Sequence, residues 1–236
     1  MDVFAPLFTI NILGYKVGSA IVIEWGVMIF LIIVCSILAR NLKKGIPTRL
    51  QATLEILYEG IESMVAGNMG KGYSGYIPFV GTLAIYLGIL NLCGLIGFGP
   101  PTRNLSVVIG FTVITFVLVH YNSIKRKHIG GYLKGYAKPY LPMLPINIIE
   151  KVVFPVSLAL RLFGNMLAAA IVMGLIYMGL GHISIFADMG LSMLPQIGLP
   201  IFAHAFFDLF DGCIQTVIFV MLTIITIKLE AETEEI

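Results

Sequence analysis

Five apolar stretches set the pattern of the chain, at about 21–38, 76–98, 105–121, 146–180 and 199–229. Crossing a hydrocarbon core of ~30 Å takes roughly 20 apolar residues of helix, so most of these runs are long enough to span a bilayer. Between the first two, residues 48–66 read differently: Leu50, Leu54, Leu57, Ile61 and Val65 recur at helical spacing while Glu55, Glu59 and Glu62 share another face. That predicts an amphipathic helix lying at the membrane surface. The glycine-rich GNMGKGYSGY ends it, Gly99, Pro100 and Pro101 close the second span, and Pro139, Pro142 and Pro145 punctuate the approach to the fourth. The last two stretches are too long for a perpendicular crossing, since about 31 residues at 1.5 Å each reach about 46 Å. They are expected to form a long tilted hairpin, joined through GHISIFADMGLSMLPQIG and bent at Pro155, whose ring removes a helical N–H. The expected fold is an all-α membrane protein of about five transmembrane helices plus one surface helix, a single membrane domain over residues 1–236.

Composition agrees: 58% of the 236 residues are hydrophobic and 12% charged, a balance suited to lipid as solvent. The net charge of +2 is unevenly placed. Arg40, Lys43, Lys44 and Arg49 follow the first span and Lys125, Arg126, Lys127 and His128 the third, so both clusters mark the cytoplasmic side. The N-terminus is then expected outside and the acidic tail EAETEEI in the cytoplasm. Cys35, Cys93 and Cys213 are odd in number and far apart, with neither a disulfide framework nor metal-ligand spacing. The opening MDVFAPLFTINILGYK lacks the basic and apolar regions of a cleaved signal peptide.

Chemistry must reside in the polar exceptions within the spans. A charge at bilayer depth costs a few kcal/mol even on insertion scales (~2.5–3.5), so each needs a physical reason. Arg161 carries a permanent charge, because guanidinium is effectively never deprotonated. It cannot relay a proton, but it can attract an ionised carboxylate and repel a free cation, the behaviour of a gate; snorkelling to the headgroups is the plainer alternative. Asn165 lies four residues on, on the same helical face. His204, Asp208, Asp211 and Gln215 are spaced four, three and four, one polar stripe suited to lining a water-filled half-channel. The competing reading makes Asp208 or Asp211 a buried ion-pair partner of Arg161. Glu24, Asn91 and Glu150 are secondary candidates for the pathway.

The segment Leu160-Arg161-Leu162-Phe163-Gly164-Asn165-Met166 resembles the arginine-bearing helix of F-type ATP synthase subunit a. Asn91-Leu92 with its following Gly-Leu, PTRNLS at 101–106, PINIIE at 145–150 and IQTVIFVMLTI at 214–224 extend the resemblance. It implies that Arg161 faces the essential carboxylate of a rotating c-ring, between two offset half-channels, with Asn165 and Gln215 assisting. It also implies peripheral-stalk b subunits and the rest of the ATP synthase as partners, in a bacterial plasma membrane. Asp208 falls where many members carry a histidine or another ionisable residue. Ala170 departs from the pattern, standing where many members have the acidic or histidine partner of that position, so Asp208 and Asp211 are left to supply the polar function from the other helix.

No phosphate-binding loop, dinucleotide motif or metal-ligand spacing is present, so no catalytic nucleotide site, cofactor, fixed metal or nucleic-acid partner is expected; the transported ion is H⁺ or Na⁺. The alternative function is a self-contained secondary ion transporter, which would normally show paired halves around a central site. No internal repeat is visible.

Overall fold

The computed structural model describes residues 8–12, 15–40, 42, 48–136, 140–181 and 194–232. Lys43, Lys44, Pro139, most of the segment joining the last two spans (182–193) and the tail at 233–236 lie outside them. Helices account for nearly all of the described chain: α1 Ser19–Arg40, α2 Arg49–Met69, α3 Ile77–Leu92, α4 Leu105–Tyr136, α5 Leu144–Gly181, α6 Leu194–His204 and α7 Gly212–Glu232. Five helical stretches are long and apolar enough to cross a membrane: Ser19–Arg40, Gly72–Ile96, Leu105–Tyr136, Leu144–Leu180 and Pro200–Glu232. The predicted all-α membrane class is therefore what the chain adopts.

Three local features depart from simple spans. An antiparallel hairpin precedes α1, β1 (Thr9–Ile12) pairing with β2 (Tyr15–Gly18) in the register Thr9 opposite Gly18. The basic cluster at Lys125 does not end α4, which turns at His128, where φ is 57°, and continues to Tyr136. That left-handed backbone is uncommon for a side chain bearing a Cβ. Between α6 and α7 the backbone winds as a π-helix over Ala205–Asp211.

The chain divides into two compact units. One comprises Met28–Tyr86, Ile109–Ala159 and Val217–Ile236. Its apolar interior contains Val80, Phe111, Val119, Leu158, Phe219 and Ile224. Here α2 starts at Thr48, whose side chain accepts from the Gln51 amide at 3.3 Å, and stops at Gly70, where φ is 91°. The acidic positions Glu55, Glu59 and Glu62 are exposed, as the amphipathic pattern requires. Of the apolar stripe, Val65 is buried in the unit and Leu50 and Leu57 are exposed. Lipid rather than protein is the natural solvent for those two, which is how an interfacial helix satisfies its apolar face. Polar pins fix this unit: Tyr76 Oη donates to Asn122 at 2.6 Å, Asn122 Nδ2 to the Ile227 carbonyl at 3.3 Å, and Lys151 pairs with Glu230.

The other unit comprises Met1–Val27, Leu87–Val108 and Leu160–Thr216. Leu87, Leu90, Val108, Leu162 and Met166 are buried in it. It holds nearly all of the polar candidates.

Candidate functional site

On α5, Leu162, Met166, Ala169 and Met173 are buried at spacings of four, three and four, the stripe by which the helix packs. Arg161 falls off that stripe. It is exposed beside Leu160, itself 58% exposed, and among the described residues it forms no ion pair. The sequence reading that paired it with Asp208 or Asp211 does not hold in this chain: Asp208 is held by another side chain, and Asp211, half-buried, also lacks an ion pair among the described residues. Asn165, one turn after the arginine, donates from Nδ2 to Gln215 Oε1 at 2.8 Å. Gln215 is 1% exposed, so α5 and α7 meet through a buried amide pair one helical turn after Arg161 in sequence.

The stripe His204, Asp208, Asp211, Gln215 assumed α-helical winding throughout. The π-helix at Ala205–Asp211 changes the phase, because i→i+5 bonding turns the chain more slowly than i→i+4. The four residues accordingly separate into different associations. His204 Nδ1 lies 2.5 Å from Asp208 Oδ2, and His204 Nε2 lies 3.1 Å from Tyr177 Oη on α5. Gln215 belongs to Asn165, and Asp211 to neither group.

Asp208 and His204 open into a cavity of about 220 Å³ that is also lined by Arg103, Ala170, Met173 and a glycine-rich turn at Gly94, Gly97 and Gly99. Gly94 is required by Asp208: a Cβ there would come 2.9 Å from Cγ and 3.0 Å from Oδ1 of the carboxylate. Arg103 lies over Gly99, where a Cβ would be 3.0 Å from its guanidinium nitrogen. Ala170 faces the same space as His204 and Asp208. The histidine that stands beside Asp208 thus comes from one turn earlier on the same strand of chain, not from α5.

Asn91 is 0% exposed and bonded at every turn. Its Nδ2 donates to Thr216 Oγ1 at 2.9 Å and to the Gly212 carbonyl at 3.3 Å, and its Oδ1 accepts from Thr102 Oγ1 at 2.8 Å. Such an amide positions helices, drawing the end of α3, the short 3-10 turn Pro101–Arg103 and the start of α7 together. Glu24 is half-buried on α1 and does not line the cavity, and Glu150 is exposed in the other unit.

Sequence reasoning missed Tyr177, Gly94 and Arg103. Tyr177 sits in an apolar run where an aromatic reads as packing, and Gly94 looks like a helix breaker until its neighbour is known. Arg103 carried a signal that was passed over, a charge at the very start of a span.

Comparison with known proteins identifies the arrangement. The profile of the family described as ATP synthase A chain matches residues 21–228. ATP synthase subunit a of Albidiferax ferrireducens is 36% identical over 163 residues, covering 68% of this chain and 71% of that protein. The Desulforamulus reducens subunit a is 30% identical over 227 residues, 93% of this chain and 84% of that one. The Propionigenium modestum protein described as "ATP synthase subunit a, sodium ion specific" is 28% identical over 241 residues, 95% and 78% of the two chains. The chain belongs to the ATP synthase A chain family, and is an integral membrane component of an F-type ATP synthase, not its catalytic subunit.

Proposed function

We propose that this chain is the ion-translocating stator subunit of the rotary machine, offering two half-channels to a c-ring and coupling the flow of H⁺ or Na⁺ to rotation and ATP synthesis. The observation that carries this reading is Arg161: an exposed guanidinium within a span, on a face that the chain itself leaves uncovered. A permanent charge at that depth is costly unless something neutralises it, and the missing partner is a carboxylate presented by another subunit. A ring carboxylate meets that demand in its ionised form and is released when it binds an ion. Arg161 thereby keeps the two half-channels apart while the ring turns. Asn165 and Gln215 fix the helices that carry it, and His204, Asp208 and Asp211 furnish the polar lining of one route. Per elementary charge, ~100 mV supplies about 2.3 kcal/mol to this process. No cofactor takes part.

The remaining partners are the peripheral-stalk b subunits, for which the exposed apolar face of α1 at Ile29, Phe30, Ile33 and Ile37 is available. The basic residues at Arg40 and Lys125–Lys127 support an N-terminus outside and a C-terminus in the cytoplasm, in a bacterial plasma membrane. The test is Arg161→Ala and Arg161→Lys in the complete complex. Both variants should insert and assemble, yet lose nearly all ATP synthesis and coupled pumping; lysine fails because its ammonium lacks the planar fork and sheds its proton when desolvated. Normal coupled synthesis by either variant removes the gate from Arg161.

A further inference from the structure

The end of α4 folds back on itself. In a straight helix Tyr132 would stand about 18 Å beyond His120, yet its hydroxyl lies 2.9 Å from His120 Nδ1 and the two rings are 5.9 Å apart, edge to face. The turn at His128 therefore sends residues 129–136 back alongside the span rather than on into water. Tyr132 also shares a hydrogen bond with Tyr136, whose carbonyl accepts from Asn147 Nδ2 at 2.8 Å, so the returning segment is fixed to α5 as well. Gly130, Gly131 and Gly135 give it little helix preference of its own, and these tertiary bonds hold it. With both tyrosines engaged, Ile129 and Leu133, four residues apart, are left 66% and 62% exposed, and Ile124 before the turn is exposed too. The charge around the segment has one sign. Between Arg103 and Glu150 the sequence has no Asp or Glu, whereas Lys125, Arg126, Lys127 and Lys134 lie there. Arg126 is engaged within the protein, stacked 3.9 Å over the Tyr73 ring and donating to the Gly72 carbonyl at 3.1 Å. Lys125 and Lys134 are exposed and form no ion pair among the described residues.

We propose that residues 129–136 form a re-entrant flap seated in the headgroup layer of the membrane, with Ile129 and Leu133 against the acyl chains and Lys125 and Lys134 on the phosphates of anionic lipids. The inference goes beyond the ion-translocation reading and needs only that α4 spans. A segment running back along an apolar span meets the edge of the bilayer, and lipid is the solvent that its exposed isoleucine and leucine require. Burial of those side chains supplies the hold, and attraction between ammonium groups and a negative surface adds to it within a Debye length. The long lysine stems let the charges stay at phosphate level while the backbone lies deeper. Through Asn147 the same anchor sets the height at which α5 begins.

The experiment attaches a bimane to Leu133→Cys in an otherwise cysteine-free complete complex. The complex is reconstituted into vesicles of phosphatidylcholine alone or mixed with phosphatidylglycerol. Quenching by nitroxide-bearing lipid is compared with quenching by iodide present on both sides of the membrane. A dye at Glu59→Cys, on the exposed acidic face of α2, supplies the aqueous reference. At Leu133→Cys the lipid nitroxide should quench strongly, and iodide about fivefold less than at Glu59→Cys. Phosphatidylglycerol should raise the nitroxide quenching by about twofold, and Lys125→Gln combined with Lys134→Gln should abolish that gain. Iodide quenching equal to that at Glu59→Cys turns the segment toward water and overturns the flap. Protection from both quenchers assigns the face to another subunit and overturns it equally. Absence of a phosphatidylglycerol gain, or a gain that survives loss of both lysines, removes the recognition of anionic lipid. Arg161 takes no part in these measurements, so the gate and the flap fail separately.

Discussion

Gly94 illustrates how a residue without a side chain governs one that has chemistry. Asp208 reaches its bond with His204 only because nothing projects from position 94, where a methyl carbon would stand 2.9 Å from the carboxylate carbon. An aspartate side chain is short, and its carbon cannot retreat from that contact without rotating the oxygens away from Nδ1. Gly94→Ala should therefore act on Asp208 at a distance: the charge-assisted hydrogen bond, worth roughly 1.5–3 kcal/mol, is lost or distorted. We expect the variant complex to assemble normally on a native gel and to pump at about a tenth of the wild-type rate. Wild-type pumping by Gly94→Ala would show that the carboxylate works equally well displaced. Arg161 makes the complementary point: in the function proposed above, its partner belongs to another chain.

Among the elements, the apolar runs announced the five spans because lipid demands nothing more of a helix than length and an apolar surface. The elements hidden from that reasoning each depend on a contact made elsewhere. The turn at His128 sits inside an unbroken helical pattern, and Tyr132 beyond it is bonded to His120 Nδ1 at 2.9 Å, a return contact that no local propensity encodes. The π-helix at Ala205–Asp211 is equally silent, so the residue types of the polar stripe were legible and their shared face was not. Arg161 and Asn165 were legible because a cation and an amide one turn apart are conspicuous in apolar sequence. The junction of α3 with α7 tests how such elements are joined. Asn91→Ala leaves the Thr102 hydroxyl without its buried acceptor, while the Gly212 carbonyl keeps the Thr216 hydroxyl as donor, a cost of about 1–3 kcal/mol. Membrane hydrogen bonds average only ~0.6 kcal/mol, so the lower part of that range is the better expectation. The variant should show a lower midpoint of thermal unfolding in detergent, together with reduced pumping; an unchanged midpoint would mean that water or neighbouring groups replace the amide.

For the molecule as a whole, the number of spans decides where its ends lie. Five crossings would put Phe8 and Glu232 on opposite sides of the membrane, and the orientation proposed above follows the charge pattern: Arg40 follows the first helix, and Lys125, Arg126 and Lys127 lie toward the end of the third, while the entry to that third helix carries Arg103 alone. With Arg40 and Lys125 in the cytoplasm, the hairpin before α1 is outside and Glu232 at the end of α7 is inside. Single cysteines report this directly once Cys35, Cys93 and Cys213 are replaced by alanine in a complex that still assembles. Phe8 is exposed and Glu232 is exposed, so a thiol at either position is open to reagent. In intact cells a membrane-impermeant maleimide should label Phe8→Cys and spare Glu232→Cys, and in inside-out vesicles the preference should reverse. Labelling of both positions from one side would require an even number of crossings, which α1 could supply by lying along the interface, since Ile29, Phe30, Ile33 and Ile37 leave one of its apolar faces exposed. Labelling of Glu232→Cys alone in intact cells would keep five spans and invert the protein, placing the cavity lined by His204 and Asp208 on the cytoplasmic side.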